Sequence, residues 1–177
     1  MIPPDSITTE RLLLRFPVIE DAEAIFQEYA QDREVTRYLL WRPHQSLNDT
    51  MEFLTKCFFV LREKIAYPYG ITLRETGKLI GMIELRIDAP RADLGFVLSR
   101  SYWNRGYMTE AVKALVSWAL DQKDIFRVWA RCDIENAAST RVLEKCGMER
   151  EGILRRWAVL PNISSEPRDC YTYAKVK

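Results

Sequence analysis

The residues of this chain whose types and spacing could do chemistry gather in one loop, residues 102–109, with the sequence YWNRGYMT. An alternating apolar pattern before the loop predicts a strand, and an apolar stripe at helical spacing after it predicts a helix to about residue 120. The first N–H groups of a helix lack partners, and the helix dipole makes that end positive. The loop is therefore a candidate phosphate or pyrophosphate site, with Arg105 as a charge and Thr109 as the expected helix cap.

The same loop has a simpler interpretation, in which the glycine only turns the chain between a strand and a helix that bind nothing. Two stronger phosphate-binding patterns are absent, because the sequence contains neither G-x-G-x-x-G nor G-x-x-x-x-G-K-[ST]. A dinucleotide-dependent oxidoreductase and a P-loop kinase are therefore disfavoured.

Composition narrows the class of protein further. A length of 177 residues suits one domain, and no linker or repeat divides the chain. The net charge of +1 gives no general attraction to nucleic acid or to an anionic membrane. No run of about 18 apolar residues could span a bilayer, and the first ten residues lack the apolar core of a signal peptide. We therefore expect a cytoplasmic protein without a nucleic-acid or membrane partner.

The chain has four cysteines and one histidine, His44. None of the cysteines is spaced as C-x-x-C, so a zinc site is not expected, and no metal is predicted. Because no histidine is near Cys132 or Cys146 in sequence, we interpret these two thiols as buried structural groups rather than nucleophiles.

The elements that must position the loop follow from periodicity and turn residues. Asn136 is an expected N-cap, Ser46 or Asn48 is another, and Gly147 occupies a typical helix end. Residues 1–8 read as a loose lead-in. The predicted order is β-α-α-β-β-β-α-β-α-β-β, a mixed sheet with helices on its faces. The strands are predicted at residues 10–16, 69–74, 79–87, 93–99, 127–133, 148–159 and 169–177, and the helices at 20–31, 47–66, 110–120 and 136–145, with a further short helix at 33–41.

Four separated segments resemble the GNAT N-acetyltransferases, and within them the RimJ/RimL-like branch of the ribosomal-protein-alanine N-acetyltransferase type. They are residues 9–15, residues 92–111, residues 136–148, and the pair 151–152 with 168–171. The resemblance runs from about residue 8 to the end. It implies an α/β (α+β) fold in one domain over residues 1–177, with a mixed, mostly antiparallel sheet of about seven strands and helices on both faces.

The resemblance also implies acetyl-CoA as co-substrate, with its pantetheine along the central strand and its pyrophosphate on the loop. Two positions depart from the family pattern. Met108 replaces a small residue, and Asn104 stands where the branch often has glycine, so the backbone is expected to approach the pyrophosphate less closely. The expected cofactor-binding residues are Val97, Leu98, Ser99, Asn104, Arg105, Gly106, Tyr107, Met108, Thr109, Asn136 and Ser139.

In the family, the acceptor amine attacks the thioester directly. An α-amine with a pKa near 8, or a lysine near 10.4, must first lose a proton. Asp93 is the first candidate for the base and Glu84 the second; the alternative for each is a solvated or ion-paired carboxylate. A backbone N–H near Val97 would stabilise the oxyanion. Leu143 stands where many members have a tyrosine, so Ser139 is the candidate partner of the departing thiolate.

These features predict an N-acetyltransferase that modifies a protein N-terminal α-amine or a small-molecule amine. The alternative is a non-catalytic module of the same fold that binds acyl-CoA as a sensor. The acceptor depends on residues 20–66 and 155–168, for which the sequence offers no rule, and both a monomer and a homodimer stay open.

Overall fold

The computed structural model describes residues 1–177, and eight strands form one sheet in it. Their order is β1-β2-β3-β4-β5-β6-β8-β7, and every neighbouring pair is antiparallel except β5 and β6. The predicted mixed, mostly antiparallel sheet is therefore confirmed. The strands are β1 (Ser6–Thr8), β2 (Leu12–Arg15), β3 (Tyr67–Leu73), β4 (Leu79–Asp88), β5 (Arg91–Leu98), β6 (Arg127–Asp133), β7 (Glu149–Val159) and β8 (Pro167–Val176).

One strand was not predicted. The segment read as a loose lead-in contains β1, which pairs with β2 through Ser6↔Arg15, Ile7↔Leu14 and Thr8↔Leu13. Three residues are too few to show an alternating pattern, so only pairing with an existing sheet edge makes this segment a strand.

Five helices cover the sheet: α1 (Ala22–Ile25), which continues as a π-helical turn at Phe26–Ala30, α2 (Arg33–Thr36), α3 (Leu47–Arg62), α4 (Tyr107–Asp121) and α5 (Ala137–Lys145). Ser46 caps α3, because its hydroxyl accepts the Asp49 N–H. The prediction for residues 33–41 was too long, since α2 ends at Thr36. The helical spacing of α3 predicts that Met51 faces inward with Leu54, but Met51 is exposed and only Leu54 is buried. No helix is both long and apolar enough to cross a membrane.

The two faces of the sheet bury separate apolar clusters. The larger one, of 25 buried residues, packs α4 and α5 against the sheet and includes Leu94, Leu115 and Val128. The smaller one, of 9 buried residues, packs α1 and α3 against the opposite face and includes Leu54 and Met82. Helices therefore lie on both faces, as predicted, and the two clusters hold β4 and β5 rigidly between them.

The sheet opens between β5 and β6. These parallel strands pair only at Arg91↔Arg127, Ala92↔Val128 and Asp93↔Trp129, although β5 continues to Leu98 and β6 to Asp133. Beyond these pairs β6 remains bonded to β8. The carboxyl ends of β5 and β6 consequently leave a gap in the sheet. Two cavities lie beside this gap.

Candidate active site

The loop that ends β5 turns into α4 through two residues in the left-handed region. Asn104 has φ +60° and Gly106 has φ +80°, a conformation that glycine adopts freely and asparagine more readily than most residues. Gly106 is the N-cap of α4, which begins at Tyr107. The expectation that Thr109 caps this helix is wrong, because the left-handed turn starts the helix before Thr109. The first unpaired N–H groups of α4 are consequently those of residues 107–109.

The side chain of Arg11 braces this loop. Its Nη1 donates to the carbonyl of Arg105 at 3.0 Å, and its Nε donates to Glu110 at 2.7 Å. Its guanidinium also lies 4.4 Å from the centre of the Tyr107 ring. Burial would raise the pKa of Glu110, but hydrogen bonds from Thr9 and Arg11 lower the pKa overall. Sequence reasoning did not assign Arg11 to the site, since it lies more than 90 residues away from the loop.

A cavity of about 600 Å³ lies between the end of β5, the loop and the first turns of α5, and we call it the loop cavity. Arg141 and Lys145 of α5 also line it, and they add positive charge that the sequence did not lead us to expect. Ser99 and Arg105 do not line it, and the Arg105 guanidinium lies over the Tyr102 ring instead, 5.8 Å from its centre. The predicted residues that do line it are Val97, Leu98, Asn104, Gly106, Tyr107, Met108, Thr109, Asn136 and Ser139.

The backbone of β5 offers different groups to the gap from those expected. The Ser99 N–H donates to Ile80 of β4 at 2.8 Å, and the β4–β5 register has no shift. Because strand residues alternate between their two neighbours, Val97 also faces β4, whereas Phe96 and Leu98 face the gap. Trp103 confirms this direction, since its Nε1 donates to the Leu98 carbonyl at 2.8 Å. We expected the backbone groups of Val97 and Ser99 to face the gap, but those of Phe96 and Leu98 face it instead.

Met108 leaves the loop cavity open. Its side chain is buried and belongs to the larger apolar cluster beneath α4. Met108 also lines the loop cavity, but its buried side chain packs into that cluster.

A second cavity, of about 350 Å³, lies on the face of the sheet that carries α1 and α3, and we call it the sheet cavity. One wall is apolar and includes Leu40, Trp41 and Phe53, whereas the sheet side carries charged groups. Ala158 and Leu160, from the end of β7 and the residue after it, close another side. Six residues line both cavities and mark their junction: Tyr38, Leu39, Phe96, Val97, Asn136 and Ser139.

The two candidate bases share one arginine in the sheet cavity. Glu84 pairs with Gly95 and Arg86 with Asp93 across β4 and β5, which places all three charged side chains on one face. Arg86 donates to Asp93 through Nε at 2.9 Å and through Nη2, and it donates to Glu84 through Nη1. Burial would lower the pKa of Arg86, but the two carboxylates raise the pKa overall. Two carboxylates against one guanidinium leave this cluster with a net charge of about −1.

At the junction, α5 contributes the other predicted polar groups. The Asn136 Oδ1 accepts the Ser139 N–H at 3.1 Å, which confirms Asn136 as the N-cap. Leu143, at the position where many family members have a tyrosine, is buried in the core and has no polar group to donate a hydrogen bond. A tyrosine comes instead from another segment: the Tyr38 hydroxyl donates to the Glu135 carbonyl at 3.3 Å and so reaches across the junction.

The segment that carries Tyr38 is held by a distant side chain. Asn162, between β7 and β8, donates from Nδ2 to the carbonyls of Thr36 and Trp41, at 2.7 and 2.8 Å. Sequence analysis did not single out Tyr38, because residues 33–41 were predicted as a helix, whereas the chain leaves the helix after Thr36. Its one signal is a cluster of aromatic residues in an irregular stretch.

All four cysteines are buried, as predicted for Cys132 and Cys146. Burial raises the pKa of Cys57 to about 12 and the pKa values of Cys146 and Cys170 to about 11. Three of the thiols line the sheet cavity, namely Cys57, Cys132 and Cys170. Because a thiol with a raised pKa forms little thiolate at neutral pH, they are poor nucleophiles.

Comparisons with known proteins point to one family. The acetyltransferase (GNAT) domain family matches residues 11–149 of the chain. A Bacillus subtilis protein named as the uncharacterized N-acetyltransferase YoaA is 32% identical over 174 residues, which cover 97% of this chain and 96% of that protein.

Solved structures share the fold. An acetyltransferase of the GNAT family from Bacillus anthracis has a TM-score of 0.83 and 31% identity, covering 97% of this chain and 98% of that one. RimL, a ribosomal L7/L12 alpha-N-protein acetyltransferase solved in complex with coenzyme A, has a TM-score of 0.84 with 97% of each chain covered. At 21% identity RimL shows the fold alone. The predicted family is thus confirmed, and the chain belongs to the GNAT family of N-acetyltransferases.

Proposed function

We propose that this protein transfers the acetyl group of acetyl-CoA to a primary amine by direct attack within a ternary complex. The observation that carries the proposal is the meeting of two cavities at the gap between β5 and β6. One cavity has the features of a phosphate-binding turn, and the other has carboxylates that can accept a proton. Two substrates, one in each cavity, would therefore meet at Phe96, Asn136 and Ser139.

The loop cavity would hold acetyl-CoA. The N–H groups of residues 107–109 and the dipole of α4 suit its pyrophosphate, and Arg141 and Lys145 add charge at the cavity wall. The Phe96 and Leu98 backbone faces the gap and can pair with the pantetheine amides, although Trp103 already occupies the Leu98 carbonyl. Acetyl-CoA is a substrate here, and its thioester supplies the acetyl group that is transferred.

The sheet cavity would hold the acceptor amine. The net negative charge of Glu84, Arg86 and Asp93 attracts an ammonium group, and one of the carboxylates, directly or through water, takes its proton. We favour Asp93 as the base, since it stands at the last paired position before the gap, beside Trp129. Glu84 is the second candidate. The amine nitrogen then forms a bond to the thioester carbonyl carbon.

Two groups at the junction would complete the reaction. The Phe96 N–H, which faces the gap, can stabilise the oxyanion as the carbonyl becomes tetrahedral. When the carbon–sulfur bond breaks, the thiolate needs a proton or a hydrogen bond. Ser139 is positioned for this by its place on both cavities, and the Tyr38 hydroxyl becomes a second donor when its proton turns from the Glu135 carbonyl to the thiolate.

Titration with acetyl-CoA tests the cofactor half of the proposal. We expect the intact protein to bind acetyl-CoA in calorimetry and Gly106→Val to weaken binding by more than about tenfold, because each lost hydrogen bond to a charged group is worth about 1.5–3 kcal/mol. A side chain at Gly106 has an unfavourable φ and would lie 3.4 Å from the Arg11 Nη2. Gly77→Val is the matched control, since Gly77 has φ +69° and no neighbour within 4 Å.

Thiol release across a panel of amines tests the catalytic half. We expect coenzyme A to form only when an amine acceptor is present. Tight binding of acetyl-CoA without turnover on peptides with free N-termini, amino acids or polyamines would contradict the enzymatic proposal and indicate a sensor. Equal loss of binding in Gly106→Val and Gly77→Val would contradict the placement of the pyrophosphate.

A further inference from the structure

We infer that the acceptor carries an oxyanionic group, a carboxylate or a phosphate, in addition to its amine, and that Arg131 binds this group. The inference rests on the proposed function, because it concerns the acceptor of the same site. It starts from one arginine of the sheet cavity whose charge the protein does not neutralise.

Three arginines lie in or beside the sheet cavity, and two of them are paired with carboxylates. Arg86 binds Glu84 and Asp93. Arg168 binds Asp133 and Glu135 at 2.6 and 3.0 Å. Arg131 lines the cavity, yet it forms no ion pair and donates no side-chain hydrogen bond within the protein. A guanidinium has five N–H donors, so Arg131 keeps its full capacity for a ligand.

Arg131 is nevertheless held in place. Its guanidinium lies 5.6 Å from the centre of the Trp129 ring and 5.5 Å from that of Trp157. Cation–π contact fixes the plane of the group without using its N–H donors. A half-buried, oriented and unpaired guanidinium suits bidentate binding of a carboxylate or a phosphate.

The strand register sets the main-chain spacing between Arg131 and Asp93. Asp93 pairs with Trp129, and Arg131 lies two residues farther along β6 on the same face. Their Cα atoms are consequently at least about 8 Å apart, from two strand residues of rise and one strand spacing. An amine at Asp93 and an oxyanion at Arg131 therefore belong to the two ends of a small molecule or short peptide. The apolar wall at Trp41 and Phe53 would take an apolar side chain between them.

Acid and amide forms of one peptide test the inference. Leu-Gly and Leu-Gly amide present nearly the same amine, but only the first has a carboxylate. We expect the intact protein to bind Leu-Gly at least about tenfold more tightly, in calorimetry with and without coenzyme A, and Arg131→Gln to remove the difference. Phosphoethanolamine and ethanolamine form a second pair of acceptors. If only this pair differs in affinity, the oxyanionic group is a phosphate.

Arg150→Gln is the matched control, because Arg150 is an exposed β7 residue that lies 4.7 Å from the centre of the Tyr171 ring and lines neither cavity. It should retain the preference. Equal binding of both members of both pairs by the intact protein, or a preference that survives in Arg131→Gln, would overturn the inference. Acetylation of the amides as efficiently as of the acids would overturn it while the proposed function stands. Binding of the acid through Arg131 without any acetylation would contradict the proposed function instead.

Discussion

The loop cavity and the sheet cavity adjoin at the same gap in the sheet, but they are built in different ways. The loop cavity depends on main-chain groups, namely the N–H groups at the start of α4 and the open side of β5. The sheet cavity depends on side chains that come from α3, β4, β5, β6, β8, the segment after α2 and the end of β7. The loop cavity can therefore keep its ligand through many side-chain substitutions. The sheet cavity can change its ligand with a few substitutions.

The electrostatics of the two cavities differ in the same sense. Positive potential in the loop cavity comes from the helix dipole and from side chains that are not ion-paired, such as Arg141 and Lys145. The charges of the sheet cavity are mostly engaged in ion pairs, with Arg131 as the exception. Substitutions of charged residues in the sheet cavity should accordingly act on the acceptor and on turnover, and substitutions of the turn should act on acetyl-CoA.

Removal of the base should have the largest effect and would sharpen this contrast. We expect Asp93→Asn to lower kcat by about 100-fold or more, the range of general-base catalysis, with little change in the affinity for acetyl-CoA. Glu84→Gln should have the smaller effect of the two. Steady-state kinetics with an acceptor from the amine panel, together with calorimetry, measures both quantities.

Asp88→Asn is the matched control, since Asp88 ends β4 and pairs with Arg91 at 2.9 Å away from both cavities. It should leave kcat unchanged. If Asp93→Asn weakens acetyl-CoA as strongly as it lowers kcat, the two cavities do not act independently and the contrast between them fails. A larger loss for Glu84→Gln would exchange the roles of the two carboxylates.

The donor to the thiolate should have an intermediate effect. We expect Ser139→Ala or Tyr38→Phe to lower kcat by about tenfold, and the residue that donates the proton should also flatten the high-pH limb of the rate profile. Rapid mixing that separates chemistry from product release checks this prediction. If kcat falls in neither variant, water protonates the thiolate at the junction.

The smallest expected effect concerns the aromatic wall of the sheet cavity. His44 lies 4.9 Å from the Trp41 ring and 5.8 Å from the Phe53 ring, measured between centres. Burial lowers the pKa of His44 below its usual 6.5, with opposing smaller influences from Asp49 and Lys56. The unfolded chain consequently binds a proton more readily than the folded protein does. The stability from neutral His44 is present above pH 6.5 and is lost as pH falls through the folded pKa.

Thermal unfolding at pH 7.5 and 5.5 checks this prediction. Between these values we expect a fall in Tm of about a few degrees that His44→Phe reduces, because the variant has no group to protonate. An identical fall in the variant would assign the pH dependence to other groups. The loop cavity contains no histidine, so the effect distinguishes the two regions.

The predictions that held concern local interactions. Asn136 caps α5 and Gly147 has φ +74° after it, because capping and left-handed turns involve residues only a few positions apart. The same holds for the turn through Gly106. The helix start was misplaced at Thr109, since periodicity alone does not show where a left-handed turn permits the first helical residue.

The errors and omissions concern contacts between distant segments. The backbone of Val97 was assigned to the gap, but alternation fixes only that neighbouring residues face opposite sides, and pairing with β4 decides which side is which. Arg11, Tyr38 and Arg131 acquire their places from contacts that span many residues. No local pattern marks such residues, because their position depends on packing rather than on spacing.

The sequence by itself determined the family, the order of most elements and the turn through Gly106 that begins α4, since these follow from short-range backbone preferences and from motifs of contiguous residues. The tertiary structure alone decided the meeting of the two cavities, the sharing of Arg86 by two carboxylates and the unpaired state of Arg131. The physical reason is that charge pairing and cavity shape depend on strand register and on side chains that folding brings together from separate elements.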